Sequence, residues 1–321
     1  MSPDVSILIV TYRCRDAARA CLDSLRGKGG GAYEIIVLDN ASGDGTVEMV
    51  RSEFPDVRLI ASDENLGFAL GCNRAAAEAR GEFLLLLNPD TVVHEGAVAN
   101  LLAFARAHPE HGLYGGRTLD PDGSVNPGSC WGAPTLWSLF CFATLLTSAF
   151  KRTRLFDPES LGGWKRDTVR EVDIVTGCLL LAPRALWEQL GGFDTRFFMY
   201  GEDADLSLRA AALGYRPAIT PDAVVTHEIG VSSAAREDKL MLLFRGKTTL
   251  LRKHWRGLRL RLGLGLLAAG LGLRSLLSPD RGAQPSPWTQ VWRSRSDWLA
   301  GYPETAPEAP PSASREIGAA R

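Results

Sequence analysis

The sequence predicts an α/β fold with a mostly parallel central sheet, helices on its faces and a helical extension at its C-terminal end. The first observation is that continuous apolar runs, typical of buried parallel strands, alternate with segments of helical periodicity over residues 5–87. The second is that polar turns follow the apolar runs. Strand–helix alternation of this kind favours right-handed crossovers and therefore parallel pairing.

Seven predicted elements occupy this first region. The strands are short apolar runs, and the helices carry apolar residues three or four positions apart. The predicted strands are residues 5–10, 34–38, 57–61 and 82–87, and the predicted helices are residues 16–26, 46–54 and 68–80.

The pattern is less regular in the second part of the chain. We predict a strand over residues 171–182 that is interrupted at Gly177, and an extended segment over residues 216–227. Two helices are expected between them, at residues 183–190 and 202–213.

The length of 321 residues favours one large domain with extensions. We assign the large domain to residues 1–230 and a helical, basic extension to residues 231–298. Residues 299–321 are rich in Pro, Ala, Ser and Glu, and we expect them to form a disordered tail.

Composition narrows the class of protein. A hydrophobic content of 45% with 23% charged residues is typical of a soluble globular enzyme, and the net charge of -1 argues against a nucleic-acid binder. The six cysteines form no CxxC pair and suggest reduced thiols in a cytoplasmic protein. The first residues lack a basic segment followed by an apolar core, so we expect no secretory signal.

Residues 236–274 carry ten Lys or Arg against two acidic residues. Within this segment, the apolar stretch 262–273 is too short for the roughly 20 residues of a membrane span. It predicts an amphipathic helix on the anionic cytoplasmic face of the inner membrane. A helix packed on the large domain and an oligomer contact are the alternatives. The uncharged stretch 134–150 is also too short to span.

Polar residues follow all four predicted strands of the first region. A single such turn is explained by the local preferences of Asn, Asp and Gly. Four turns at the same sheet edge instead predict a ligand site, because ligands of parallel sheets bind at the carboxyl ends of the strands. The residues are Thr11, Tyr12, Asp39, Asn40, Asn65, Asn88 and Asp90.

An acidic cluster, Glu202-Asp203-Ala204-Asp205, begins the predicted helix 202–213, where carboxylates suit the positive end of the helix dipole. On a helical wheel, Asp205 can pair with Arg209 on the outer side. Glu202 and Asp203 flank the buried stripe and point to the core or a cleft, and the wheel does not choose between them. The predicted buried stripe consists of Leu206, Ala210 and Leu213.

Asp90 is a candidate metal ligand, because a divalent ion held at a strand end can neutralise a diphosphate. A lone Asp after Pro is more often part of an ordinary turn. His227 ends a later predicted strand and is a candidate second ligand, although a single His is more often structural.

Five blocks occur in a fixed order and spacing. They are SILIVTY at 6–12, VLDNASGDG at 37–45, NLGFA at 65–69 with Asn73, LNPD at 87–90, and GGFD at 191–194 leading to FMYGEDADL at 198–206. Together these blocks resemble the inverting family 2 glycosyltransferases with a GT-A fold, in particular the bacterial rhamnosyltransferase-like branch. The similarity extends over residues 4–255, and it divides the large domain into a donor half, 1–117, and an acceptor half, 118–230.

The resemblance implies transfer of a sugar from a nucleotide-sugar donor to an acceptor hydroxyl in cell-surface polysaccharide or glycolipid synthesis. The favoured donor is dTDP-rhamnose, with a UDP-linked hexose or furanose as the alternative. A glycan or lipid-linked acceptor is implied. The implied donor-site residues are Thr11, Tyr12 and Asp39 for the base, Asn65, Gly67 and Asn73 for the pocket, and Arg74 for the base or phosphates.

The resemblance also implies a divalent metal, Mg²⁺ or Mn²⁺. Asp90 stands at the second Asp of the family's DXD metal motif, and Asn88 replaces the first. One charged ligand is therefore missing, so either the amide oxygen ligates or the metal is held loosely. His227 lies where many relatives place a metal-binding His.

By the same resemblance, Asp203 is the general base that takes the proton of the acceptor hydroxyl in a single displacement with inversion. We expect it to be ionised, because a helix N-terminus lowers the pKa of a carboxyl group. The expected acceptor-binding residues are Gly177, Asp194, Tyr200 and Glu202.

Other functions are less consistent with the sequence. A nucleotide-sugar binding or regulatory protein of the same fold, inactive because of the altered metal motif, stays an alternative. A nicotinamide-dependent oxidoreductase would need a GxGxxG motif after the first strand, which this sequence lacks. Glycoside hydrolysis would need two facing carboxylates.

Overall fold

The computed structural model describes residues 3–26, 32–227, 236–278 and 285–304. Within these residues the predicted α/β fold is confirmed. The strands are β1 (Val5–Thr11), β2 (Tyr33–Asp39), β3 (Arg58–Ala61), β4 (Phe83–Leu87), β5 (Thr91–Val93), β6 (Tyr114–Leu119), β7 (Cys130–Trp131), β8 (Arg170–Glu171), β9 (Ile174–Val175), β10 (Leu179–Pro183) and β11 (Ala218–His227). The helices are α1 (Arg15–Leu25), α2 (Thr46–Glu53), α3 (Gly67–Ala77), α4 (Ala97–Ala107), α5 (Leu136–Ala143), α6 (Leu146–Ala149), α7 (Arg184–Leu190), α8 (Glu202–Ala212), α9 (Arg236–His254), α10 (Gly257–Leu277), α11 (Pro287–Arg293) and α12 (Arg295–Ala300).

The central sheet has the strand order β3-β2-β1-β4-β10-β6-β11-β5, with β8 paired to β11. The first four strands are parallel, as the strand–helix alternation predicts. β10 is antiparallel to both of its neighbours, β4 and β6. Because β10 runs in the opposite direction, its amino end lies at the edge where β1, β2 and β4 end.

Two apolar layers cover the faces of the sheet. Every residue of β1 and of β4 is buried, which explains their continuous apolar sequences. Side chains alternate between faces along a strand, so neighbours in β1 enter different layers. Leu8 packs in the layer with α3 and α8, and Ile9 packs in the layer with α1 and α4.

The predicted strand 171–182 is three strands, because the chain turns between β8, β9 and β10. The other predicted elements of the large domain lie within a few residues of the observed ones. Leu213 is an exception to the predicted buried stripe. It lies just beyond the last helical residue and is 50% exposed, whereas Leu206 and Ala210 are fully buried.

The C-terminal helices enclose a third apolar core with α5. This core includes Leu139 of α5, Phe244 and Trp255 at α9, Leu271 of α10 and Trp298 of α12, all of them buried. The segment 134–150, predicted not to span a membrane, supplies the α5 side of this core.

Helix α10 is longer than the predicted stretch 262–273. Among the described residues it is the one helix long and apolar enough to cross a membrane, with a mean hydropathy of 1.5. One face of α10 nevertheless belongs to the third core, where the Phe142 ring packs against Gly270. Arg274 is buried on this face and donates to the Phe142 carbonyl oxygen at 2.7 Å. The other face exposes leucines, including Leu258 and Leu262.

The ordered chain continues past the predicted start of the tail at residue 299. Leu299 and Ala300 complete α12. Tyr302 is buried and donates its hydroxyl to the Met199 carbonyl oxygen at 2.7 Å. The rest of the predicted tail, 305–321, lies outside the described residues.

Asp205 joins α8 to α9. Its carboxylate is fully buried and accepts from Arg209 at 2.7 Å, Lys253 at 2.7 Å and His254 at 2.9 Å. Burial acts to raise the pKa of Asp205, but the bonds from His254, Arg209 and Lys253 outweigh it and lower the pKa. The predicted pair with Arg209 exists, but it lies on an inner face and not on the outer side of the helix.

Candidate active site

Five chain segments meet at one edge of the sheet. β1, β2 and β4 end there, and the amino end of β10 joins them because that strand is antiparallel. The Asn88 amide N–H donates to the Cys178 carbonyl oxygen at 3.1 Å, which fixes this junction. β11 pairs with β5 so that His227 lies opposite Thr91, next to Asp90.

The ends of β1 and β2 hold a buried carboxylate. Asp39 accepts from the Thr11 hydroxyl at 2.9 Å, and from the Ser42 amide N–H at 3.0 Å and hydroxyl at 2.5 Å. A carboxylate offers about four acceptor positions, so these three bonds leave one unused. Beside this group, the Arg13 guanidinium lies over the half-buried Tyr12 ring, 5.2 Å from its centroid.

The turn before α3 is built around Asn65 and Gly67. The Asn65 side chain accepts from the Gly67 amide N–H at 3.0 Å. Gly67 has a φ of +77°, and a Cβ atom at this position would overlap the Phe198 carbonyl oxygen. The Phe68 amide N–H donates to that same oxygen at 2.8 Å. The predicted donor turn is therefore in backbone contact with the loop that precedes α8.

Asn73, a predicted donor-pocket residue, bonds through its side chain to a backbone segment that is far in the sequence from the Asn65–Gly67 turn. Its side-chain amide donates to the Phe193 carbonyl oxygen at 2.8 Å and accepts from the Phe193 amide N–H at 2.9 Å. Both polar atoms are thus engaged in fixing the Gly192-Phe193 backbone to α3. The neighbouring Arg74 is exposed.

The two predicted metal ligands lie side by side. The His227 Nε2 atom is 3.0 Å from Asp90 Oδ1, and both side chains are about 15% exposed. Asn88 precedes them at the end of β4 and is half-buried. A carboxylate, an imidazole and an amide oxygen are a donor set that suits a divalent ion such as Mn²⁺.

Asp203 lies in the first turn of α8 and is half-buried. Its carboxylate accepts from the Gly177 amide N–H at 3.1 Å and from the Ala204 amide N–H at 2.7 Å. Gly177 precedes Cys178, whose carbonyl oxygen accepts from the Asn88 amide N–H, so Asp203 lies beside the end of β4 that leads to Asp90. The predicted base and the predicted metal ligands therefore lie at the same edge of the sheet.

The direction of the pKa shift at Asp203 is opposite to the predicted one. Burial raises its pKa above the ordinary value, although the Gly177 and Ala204 amide N–H groups oppose this. The helix end does supply N–H donors, but desolvation of the charged form outweighs them.

The family model of glycosyl transferase family 2 matches residues 6–171, just over half of the chain. The chain belongs to glycosyl transferase family 2. This confirms the family predicted from the sequence blocks. A similar protein is the N-acetylglucosaminyl-diphospho-decaprenol L-rhamnosyltransferase of Mycobacterium tuberculosis, 31% identical over 246 residues that cover 71% of this chain and 76% of the relative.

Two further similarities agree with this assignment. The O-antigen biosynthesis protein RfbC of Myxococcus xanthus is 28% identical over 241 residues, which cover 73% of this chain and 18% of that protein. The mannosyltransferase PcManGT from Pyrobaculum calidifontis, solved in complex with GDP-Man and Mn²⁺, superposes with a TM-score of 0.55 at 20% sequence identity, covering 94% of this chain and 86% of the other. The GT-A fold predicted for this glycosyltransferase is thereby confirmed.

Two of the expected acceptor contacts of this glycosyltransferase are engaged elsewhere. Asp194 binds Arg196 through several bonds, the shortest 2.6 Å, and Lys253 at 2.6 Å. Burial acts to raise the pKa of Asp194, but these cations outweigh it and hold the pKa well below its usual range. Glu202 is only 4% exposed and its Oε2 atom is buried, so its carboxyl faces the interior.

The loop before Asp203 is braced by residues that the sequence analysis did not identify. Tyr200 has a φ of +67°, and a Cβ atom at Gly246 of α9 would overlap its carbonyl oxygen. Tyr302 holds the adjacent Met199 carbonyl oxygen. The sequence showed only that α9 is basic. Its contact with the loop before Asp203, and that of Tyr302, could not be predicted because these segments are far apart in the sequence.

A second cluster of potential metal ligands lies away from this site. His108, Glu110 and His111 bring their ligand atoms within 4.8 Å of one another. They follow α4 and precede the start of β6, at the sheet edge opposite the carboxyl ends. This cluster is therefore separate from Asp90 and His227.

Glu202 makes the stability of the glycosyltransferase dependent on pH. Burial, followed by the charge of Asp203, raises the pKa of Glu202 well above its ordinary value of 4.5, and its Oε2 atom has no hydrogen-bond partner in the described structure. A raised carboxyl pKa means that the folded state retains a proton that the unfolded state releases. The free energy of unfolding therefore falls as pH rises above 4.5 toward the folded-state pKa.

We expect Glu202→Gln to remove this dependence, because the amide is neutral at all pH values. Each pH unit by which the folded-state pKa exceeds the unfolded value costs about 1.4 kcal/mol. In thermal unfolding, the Tm of the variant relative to that of the wild type should increase as the pH rises from 5 to 8. The exposed Glu48→Gln is the control and should show no such gain. A constant Tm difference across this range would contradict a protonated, buried Glu202.

Proposed function

We propose that this glycosyltransferase transfers a sugar, with rhamnose from dTDP-rhamnose favoured, to a hydroxyl of a lipid-linked glycan, with inversion at the anomeric carbon. The observation that carries the proposal is the position of Asp203. Its carboxylate is fixed by two backbone N–H groups at the same sheet edge as the Asp90–His227 pair. The rhamnosyl and lipid-linked parts come from the mycobacterial relative, whose name specifies both.

The donor base is proposed to bind at Asp39. Thymine and uracil each carry one imide N–H, and the carboxylate of Asp39 retains one unused acceptor position. The half-buried Tyr12 is next along the chain from Thr11 and can lie against the base. The asparagine and glycine of the Asn65–Gly67 turn then line the donor pocket.

A divalent metal is proposed to bind at Asp90 and His227, with the Asn88 side-chain oxygen as a further ligand. When bound, the metal supplies positive charge that neutralises the departing diphosphate. Replacement of the first DXD aspartate by Asn88 removes one negative charge, and the nitrogen ligand that His227 offers does not restore it. We expect weaker metal binding than a two-carboxylate site gives.

Asp203 is proposed to act as the general base. As the acceptor oxygen forms its bond to the anomeric carbon, the hydroxyl proton passes to the Asp203 carboxylate. The bond between the anomeric carbon and the diphosphate oxygen breaks on the opposite face of the sugar, which inverts the configuration. A raised pKa makes Asp203 a stronger base than a free carboxylate.

We expect Asp203→Asn to lower the rate of sugar transfer by about 10²–10⁴-fold, because the amide cannot accept the proton. The Gly177 and Ala204 N–H groups bind different carboxylate oxygens, so Asn keeps one of the two bonds. Nucleotide binding should therefore be nearly unchanged, and Tm should fall slightly because one hydrogen bond is lost. Nucleotide release in the presence of acceptor measures the rate. The exposed Asp56→Asn serves as the control. A wild-type rate in Asp203→Asn would exclude this base.

Binding of nucleotides tests the donor and the metal together. We expect dTDP or UDP to raise Tm more than GDP does, because guanine carries a different donor and acceptor pattern from thymine and uracil. The increase should require Mn²⁺ or Mg²⁺ and should be lost in Asp90→Ala and reduced in His227→Ala. The control is His94→Ala, a His whose imidazole bonds to Thr226 outside the Asp90–His227 pair. Equal metal-dependent increases in all three variants would contradict the metal site.

The protein is further proposed to be cytoplasmic and to contact the inner membrane through the outer face of α10. Leu258 is 71% exposed and Leu262 is 48% exposed on this face. The exposed Arg259 and Arg261 lie between them in sequence, and their charge suits anionic lipids.

We expect Leu258→Glu with Leu262→Glu to lower binding to phosphatidylglycerol-containing vesicles by about tenfold or more, since each buried leucine contributes about 1.5–3 kcal/mol. Sedimentation with vesicles measures the bound fraction. Leu213→Glu is the matched control, because this leucine is similarly exposed but lies at the end of α8. Unchanged binding of the double variant would contradict contact through α10.

A further inference from the structure

A cavity of about 340 Å³ lies between α5, α6, α9 and the short 3₁₀ turn Pro158–Ser160. It is separate from the strand ends that hold Asp39 and Asp90. Basic, acidic and aromatic side chains line it together, and we refer to it as the basic cavity. Its lining includes Pro127, Trp131, Phe142, Lys151, Arg152 and Lys247.

The basic cavity adjoins the Asp203 site on one side. Pro127 lines the cavity, and the carbonyl oxygen of the next residue, Gly128, accepts from the Thr176 hydroxyl at 2.9 Å. Thr176 precedes Gly177, whose amide N–H binds the Asp203 carboxylate. Only a short run of bonded residues therefore separates the cavity wall from the proposed base.

Helix α9 makes a second connection. Lys247 lines the cavity, and the preceding residue, Gly246, lies against the Tyr200 carbonyl oxygen in the loop before Asp203. The wall of the basic cavity is therefore connected through two routes, β9–β10 and α9, to the backbone that positions Asp203.

Two cationic side chains at the cavity are free to bind an anion, because the acidic side chains of the cavity bind other groups in the described structure. The Asp157 carboxylate accepts from the Arg152 amide N–H at 2.9 Å, and the Glu159 carboxylate binds Lys247 at 2.7 Å. In the described structure, the side chains of Lys151 and Arg152 have no ion pair or hydrogen bond, and both are exposed at the rim. Two unpaired cations beside a concave surface favour an anion with several oxygens.

An aromatic surface continues outward from the cavity. Trp137 and Phe140 of α5 stack with ring centroids 5.5 Å apart and are 43% and 40% exposed. Phe150, which follows α6, is 48% exposed. Phe142 lines the cavity and also packs against Gly270 of α10. The Phe156 ring lies between those of Trp137 and Phe150, with its centroid 6.3 Å from that of Trp137 and 5.0 Å from that of Phe150, so these rings form one surface. A contiguous exposed apolar surface marks an interaction site.

We propose that the basic cavity binds the diphosphate of a prenyl-diphosphate-linked acceptor. The prenyl chain then lies along the aromatic surface of Trp137, Phe140 and Phe150, and the acceptor sugar extends to Asp203. This inference rests on the proposed function, which supplies the lipid-linked acceptor. The two diphosphates bind at chemically different sites. The donor diphosphate binds near the Asp90–His227 pair through a metal, and the acceptor diphosphate binds to Lys151 and Arg152.

Direct binding of farnesyl diphosphate tests the proposal without any sugar transfer. We expect the wild type to bind it more tightly than inorganic pyrophosphate or farnesol, because only farnesyl diphosphate engages both the cations and the aromatic surface. Lys151→Ala with Arg152→Ala should weaken its binding by about tenfold or more, since two charge-assisted contacts are lost. Both side chains are exposed, so the fold should be retained, which Tm checks.

Matched variants distinguish the contribution of the cationic side chains from that of the aromatic surface. Lys165→Ala removes an exposed cation outside it and should leave farnesyl diphosphate binding unchanged. Phe140→Ser should weaken binding of farnesyl diphosphate but not of pyrophosphate. Binding of dTDP with Mn²⁺ should be the same in all of these variants, because the donor site is elsewhere.

Several outcomes would overturn the assignment. Equal affinity of the wild type for pyrophosphate and farnesyl diphosphate would indicate a simple anion site. Unchanged farnesyl diphosphate binding in the Lys151/Arg152 double variant, or an equal loss of dTDP binding, would place the ligand elsewhere. Failure of the wild type to transfer sugar while these binding results hold would contradict the proposed function and leave the acceptor site standing.

Discussion

The arrangement of the active site depends on the buried carboxylate of Asp205. It bonds three cationic or imidazole groups at once, two of them from α9, and Arg209 extends the network to the carbonyl oxygens of Leu190 and Gly192. Removal of one member of such a buried network leaves uncompensated charge and costs about 3–5 kcal/mol. Since Asp203 lies half a helical turn before Asp205, the same network that fixes α8 also fixes the direction of the proposed base.

The strands and the sheet edge were predictable because their causes are local. Continuous apolar runs specify strands buried on both faces, and the polar residues that end them must then gather at one edge. Asp39 and Asp90 were placed at this edge by that reasoning, and the structure puts His227, the end of a later predicted strand, 3.0 Å from Asp90. The position of Gly177 was not predictable by the same logic, since nothing in the sequence of β10 distinguishes an antiparallel strand from a parallel one.

Glu202 and Asp203 differ in burial, and a helical wheel could not predict this difference. The two residues are neighbours on α8, yet Glu202 is buried in the interior and Asp203 bonds to Gly177 at the strand ends. The difference depends on what packs against the helix from distant parts of the chain, including Tyr302. For the same reason the pKa of Asp203 was predicted in the wrong direction: the helix end is a local property, whereas desolvation is set by the whole fold.

The contact between Gly246 and Tyr200 has a consequence for how such enzymes diversify. Backbone meets backbone there, so no side chain can adjust to absorb a change in helix position. The C-terminal helices are therefore not an interchangeable module that can be exchanged between relatives to alter acceptor preference. A chimera that replaces α9 must also inherit the loop that carries Tyr200, and the two segments are expected to evolve as one unit.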